Sequence, residues 1–202
     1  MKHLENELTK AGFDLLQWFN TSAFAHPSCA LEDYGQTSGA LALVIGNTRA
    51  LWRPFLASNP TAPDPLDHYT ERVLRAACQA AAPQHTLYFA HTMTPEAIPI
   101  QRIAHVSGLA QLGPGGLCIH PVHGPWFALR AVATFDAPGP APAGEPTGPC
   151  ASCPGTPCVE ALQSALELGP DATWRHWLAV RDVCPEGRDW RYGQAQLTYH
   201  YT

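Results

Sequence analysis

Three groups of residues in this chain could do chemistry. The first is Arg130, which lies in the nearly all-apolar run 126–135. An unpaired guanidinium is costly to bury, so something anionic is expected to meet it. That partner is either a structural Asp or Glu, or a carboxylate-bearing ligand held bidentately. The second group is in Gly116-Leu117-Cys118-Ile119-His120-Pro121-Val122-His123. Side chains alternate along a strand, so Cys118 and His120 would share a face and line one pocket. A buried Cys packed as a small hydrophobe, with His120 bonded to backbone, explains the same residues. Zinc on Cys118, His120 and His123 is a further option, against which the Pro and Gly between the histidines count. The third group is Cys150, Cys153 and Cys158, with Cys184-Pro185 further on. Four cysteines are a ligand count for tetrahedral zinc or an iron–sulfur cluster, although Cys-x2-Cys-x4-Cys fits neither standard ferredoxin run. A redox dithiol and free thiols are the alternatives. Cys29 and Cys78 have no partner in spacing, and His105 lies beside the apolar stripe of its predicted helix.

Composition bounds what these groups can serve. The 202 residues suit one domain with a sizeable core. Only 14% of residues are charged, below the usual quarter, which points to a ligand cavity or a partner interface. The net charge of −5, with no Lys/Arg run, argues against nucleic acid. The longest apolar run, 40–45, is too short to span a bilayer. With no signal peptide visible, the seven cysteines lead us to expect a reducing compartment, the cytoplasm. No phosphate-binding glycine loop, Gly-x-Ser-x-Gly elbow or His-Glu-x2-His motif is present.

The elements that must hold these groups follow from periodicity. Helices are expected over 3–11, from a Thr48 cap through 57, over 65–81, and over 94–112 after Pro95. Strands are expected at 13–19, 41–45, 86–90, 117–120 and 126–135, the last two joined as a hairpin. Residues 26–39 read as loop, and 136–149, rich in Pro, Gly and Ala, as linker. Two short helices, 158–168 and 171–182, and an aromatic tail follow. The division expected is a core over 1–135, a linker over 136–149 and a Cys-containing helical segment over 150–202 packed on the core.

The segment 116–130, read with Ala104-His105-Val106, resembles the CblC family of cobalamin-processing enzymes. That family carries a Cys-Ile-His-Pro … Gly-x-Trp-Phe-Ala-(Ile/Leu)-Arg pattern. Pro54-Phe55-Leu56, Asp64-Pro65-Leu66-Asp67, Gly12-Phe13 and Asp189-Trp190-Arg191-Tyr192 are similar in order, so the likeness spans roughly residues 5–135 and the end. It implies an α+β, flavin-nitroreductase-like fold, an antiparallel sheet flanked by helices. It implies base-off cobalamin as ligand, with reductive decyanation or dealkylation onto a thiol as reaction, and glutathione or reduced flavin as reductant. Carried over, Ile98, Gln101, Cys118 and Leu129 would line the pocket, His105 and His120 would lie near the corrinoid, and Arg130 would serve glutathione. A downstream cobalamin acceptor protein is an expected partner; a carrier without turnover, and a flavin or iron–sulfur reductase of the same fold, are the alternatives. Residues 150–185 depart from this family. They resemble the iron–sulfur segments of epoxyqueuosine reductases and reductive dehalogenases, with Val-Glu-Ala-Leu after Cys158 where a second Cys-Pro would stand.

Overall fold

The computed structural model describes residues 1–23, 40–92, 97–141 and 148–201. Cys29, the expected loop 26–39 and the start of the expected helix at 94 fall largely outside them. The centre is a four-stranded antiparallel sheet in the order β1 (Leu15–Asn20), β2 (Ala40–Asn47), β6 (Ala128–Pro138), β3 (His85–Phe89). Strand β2 is apolar on both faces because both are covered; Ala42, Leu43, Val44 and Ile45 are all fully buried. On one face Leu43 and Ile45 pack against Leu4 and Leu8 of α1 (Lys2–Lys10) and Leu74 and Cys78 of α3 (Pro65–Ala81). On the other, Ala42 and Val44 pack with Ile103 and Ala104 of α4 (Ile100–Val106), Cys118 and Phe127.

Two expectations need correction here. The helix expected over 94–112 keeps only α4. Pro99 stands just before its first turn, and Gly108, at φ +83, carries the chain out of helical geometry. Residues Gln111–Leu112 then form strand β4. The expected hairpin is also absent. Strand β5 (Cys118–Ile119) pairs with β4 as a separate two-stranded ribbon, while β6 joins the main sheet. A backbone bridge between His120 and Gly124 closes the turn between them and sends the chain off in a new direction.

Strand β6 runs on through Asp136 to Pro138, into what composition read as linker. Thr48 caps as expected, its Oγ1 accepting from the Ala50 N–H at 3.2 Å, but the first turn is 3-10 (Arg49–Leu51) before α2 (Trp52–Ala57). Asp14 fixes this cap, accepting from the Thr48 N–H at 2.7 Å and from its hydroxyl at 2.6 Å.

The C-terminal helices are α5 (Pro157–Glu167) and α6 (Trp174–Asp182), and the aromatic tail proves to be a third, α7 (Gln194–Tyr201). Trp126, just before β6, packs with Leu178 of α6, Tyr192 and Leu197 of α7 in a separate apolar cluster. Arg191 clamps the tail to α6 through two bonds to Asp182, at 2.6 and 2.9 Å.

Candidate functional site

The register of the sheet aims the site. Ile45 pairs with Ala131 and Gly46 with Leu129, so Arg130 is the extra residue of a β-bulge. Gly46 is required opposite it, since a Cβ there would stand 2.8 Å from the Ala128 carbonyl oxygen. A bulge re-aims a side chain away from the strict alternation of a strand, and sequence spacing does not reveal it.

Arg130 Nε donates to Asn47 Oδ1 at 2.7 Å. Asn47 is fully buried and carries no charge. Among the described residues Arg130 forms no ion pair with a carboxylate. Burial lowers its pKa, and the nearby Arg181 charge acts in the same direction, against the raising influence of Tyr192 and Asp67. Two guanidiniums within electrostatic reach of each other suit an anion. His200 feels both: burial first, then Arg130 and Arg181, lower its pKa to about 4. Arg181, Asn47 and His200 were not singled out in the sequence. Arg181 lies in α6, far along the chain from Arg130, and nothing in local spacing connects them.

Gln101, Cys118 and Leu129 line one cavity of about 250 Å³ together with Ile100, Phe127 and Arg181. Ile98 packs against the same core face without lining that cavity. Cys118 donates weakly to the Gln101 carbonyl oxygen at 3.4 Å, and burial pushes its thiol pKa up to about 11. At neutral pH it is a protonated wall residue, not a nucleophile.

His120 does not line this cavity with Cys118. Strand β5 ends at Ile119, so the alternation that would have put both on one face stops before it takes effect. His120 stacks near His123 at 4.5 Å between ring centroids and meets Phe127 edge-on. Its Nδ1 faces the backbone N–H groups of Val122 at 3.1 Å and His123 at 3.3 Å, so Nδ1 is the acceptor and Nε2 carries the proton. Burial, with His123 adding to it, lowers the His120 pKa to about 4. His105 lies apart, its Nδ1 accepting from the Leu112 N–H at 3.4 Å.

Cys150, Cys153, Cys158 and Cys184 do converge, lining one small cavity with Pro114 and Ile119. Cys150 lies in the 3-10 turn Pro149–Ser152, Cys158 in the first turn of α5, and Cys184 just past α6. The Cys150 N–H donates to Gln111 Oε1 at 3.0 Å, tying that turn to β4. Burial raises the Cys150 and Cys184 pKa values, and charge on the neighbouring cysteines raises both further. All four are free thiols, as are Cys78 and Cys118. No group of three or more His, Cys, Asp or Glu among the described residues is arranged to hold a single metal ion. That runs against the expected zinc or iron–sulfur site on these four cysteines, and against zinc on Cys118, His120 and His123. The cysteines surround a space without closing on a common point.

An antiparallel sheet flanked by helices, with a cavity beside its bulged strand, defines the flavin-nitroreductase-like α+β class. The structure agrees with the B12-trafficking protein CblC of C. elegans at a TM-score of 0.70 and 19% identity, over 100% of this chain and 90% of that one. In sequence the chain is similar to the cyanocobalamin reductase/alkylcobalamin dealkylase of Mus musculus, 29% identical over 98% of this chain and 77% of the relative. It is likewise similar to the proteins of that name from Bos taurus, at 28% over 98% of this chain and 76% of theirs, and Danio rerio, at 28% over 100% and 88%. No family model matches. The likeness to these relatives runs over essentially the whole chain, and the fold is shared with the CblC structure.

Proposed function

We propose that this protein binds cobalamin in the base-off state and removes its upper axial ligand. The observation that carries this reading is the meeting of Gln101, Cys118 and Leu129, from three separate elements, in one cavity that Arg181 borders. Arg130, re-aimed by its bulge, adds a second guanidinium within electrostatic reach of Arg181 and without a carboxylate of its own among the described residues. The relatives named above support the corrinoid as substrate.

For an alkyl ligand, a thiolate sulfur attacks the cobalt-bound carbon. The C–S bond forms, the C–Co bond breaks, and its electron pair stays on cobalt as cobalt(I). For cyanide, one electron from a reduced flavin takes cobalt(III) to cobalt(II) and cyanide leaves with its bonding pair. The chain's share is to exclude water, to keep the base off cobalt and to hold the thiol's carboxylates. Cys118 is not the attacking sulfur, because its thiol stays protonated. The proposed co-substrate is an external thiol set by Arg130 and Arg181, and the resemblance implies that it is glutathione. Free thiols suit a reducing, cytoplasmic setting, and the product would pass to a cobalamin acceptor protein. No helix among the described residues is long and apolar enough to cross a membrane.

The test is a spectral titration of the purified protein with cyanocobalamin and methylcobalamin, followed by addition of glutathione or reduced flavin. A base-off shift and subsequent loss of the upper ligand are expected. A shift without turnover assigns a carrier instead, and no shift overturns the reading.

A further inference from the structure

Beside the two guanidiniums lies a tyrosine whose proton has nowhere to go. Tyr192 is 4% exposed, and its hydroxyl oxygen is shut off from solvent. No acceptor for that hydroxyl stands among the described residues. The cationic groups that bear on it are Arg181 and Arg130, and a guanidinium offers donors only. Burial raises the Tyr192 pKa, and the two arginines offset this only in part, so the phenol is protonated at neutral pH.

The fold fixes this placement. Leu178 and Arg181 stand one turn apart and share a face of α6, and Leu178 packs with Tyr192 and Trp126. Arg191, the residue before Tyr192, grips Asp182, the residue after Arg181, through bonds of 2.6 and 2.9 Å. Together these contacts carry Tyr192 to the Arg181 end of the helix. Its ring is then held against Trp126 edge-on, at 5.7 Å between centroids, and against His200 of α7 at the same distance. Turning the hydroxyl out to water would give up that packing.

A buried donor without an acceptor costs stability, and an incoming acceptor restores it. We infer that Tyr192 is a third anchor for the thiol co-substrate, its hydroxyl donating a hydrogen bond to a carboxylate that Arg130 and Arg181 hold. The co-substrate class is then a thiol that carries carboxylate, and a neutral thiol is a poor one. The surroundings leave the positive charge available. Asp67 acts on Arg130 electrostatically, but its near contact is with His91, 3.5 Å away. His200, with its pKa lowered to about 4, is neutral at pH 7 and brings no anion of its own.

This inference rests on the reading of Arg130 and Arg181 as the thiol site, and the two are tested separately on the same samples. The probe is S-methylglutathione, which keeps both carboxylates and cannot react. Its binding is measured by calorimetry on wild-type protein and on Tyr192→Phe, each with cyanocobalamin added. The base-off shift scores cobalamin binding independently. The expected result is a Kd at least about tenfold higher in Tyr192→Phe, the loss of one hydrogen bond to a charged group. The melting temperature of the thiol-free variant should match or exceed wild type, because an unsatisfied buried donor has been removed. The dimethyl ester of the probe, without carboxylates, should bind weakly to both proteins and lose nothing to the substitution. A smaller rise in Kd overturns the inference, as does a melting temperature lowered by more than about 4 °C, the mark of a structural hydroxyl. An ester that binds wild type as tightly as the acid overturns it too, and so does wild-type protein that does not bind the probe. A missing base-off shift, with probe binding still sensitive to Tyr192→Phe, overturns the cobalamin reading and leaves Tyr192 assigned.

Discussion

Replacing Arg130 with Gln separates a ligand-binding guanidinium from a structural one. Two effects on stability oppose each other. The substitution removes the donor to the fully buried Asn47 Oδ1. An unsatisfied buried acceptor costs about 1–3 kcal/mol, which the shorter Gln amide recovers in part. It also removes a charge that burial and Arg181 both disfavour. The net change should stay within about 1 kcal/mol, or ~2–4 °C in melting temperature for a domain of this length. Binding has no such compensation. A charge-assisted hydrogen bond to a thiol's carboxylate is worth about 1.5–3 kcal/mol, roughly tenfold to a hundredfold in affinity. The assay is glutathione-dependent dealkylation of methylcobalamin, with melting temperature and cobalamin binding measured on the same samples. The expected result is a rise in the glutathione concentration needed, with unchanged cobalamin binding and melting. A melting temperature lowered by more than about 8 °C with an unchanged glutathione dependence would refute the reasoning.

His120 and His200 have folded-state pKa values lowered to about 4, so between there and about 6.5 the unfolded chain binds protons that the folded chain does not. Stability is therefore full above about pH 6.5 and falls as pH drops toward 4; melting curves from pH 7.5 to 4.5 should show this, flattened in His200→Gln. Cys118, with its thiol at about 11, should resist iodoacetamide at pH 7.5 in the folded protein, and Cys118→Ser should retain thiol-dependent dealkylation; mass mapping and turnover check both. Gly124→Ala should destabilise by at least about 1–3 kcal/mol from backbone conformation alone, because φ is +55 there and the new Cβ would meet the Glu186 carbonyl oxygen at 2.1 Å. Thermal melting measures it, and a change under ~0.5 kcal/mol would show that the 120–124 turn does not pack on 186–187.

Much of the frame was legible in the residues. The apolar run at 41–45 announced a strand covered on both faces, and the spacing of Leu66, Tyr69 and Val73 gave α3 its observed bounds, Pro65–Ala81. Periodicity works there because one burial pattern repeats over many residues. It failed where one or two residues decide. Gly108 ended a helix that composition would have continued, β5 stopped one residue before His120, and the aromatic tail hid a helix with almost no apolar face.

The sequence by itself determined the chemical types at hand: one arginine in an apolar strand, four cysteines in a late segment, and a Cys-Ile-His-Pro motif. Only the tertiary structure decided what each meets. A bulge, created by pairing with β2, re-aimed Arg130 onto Asn47, and the packing of α6 brought Arg181 within electrostatic reach of it. The pairing of β5 with β4 instead of β6 put Cys118 and the four-cysteine cavity back to back. These are contacts between segments distant in the chain. They depend on register and packing across the whole fold, and local spacing carries no information about either.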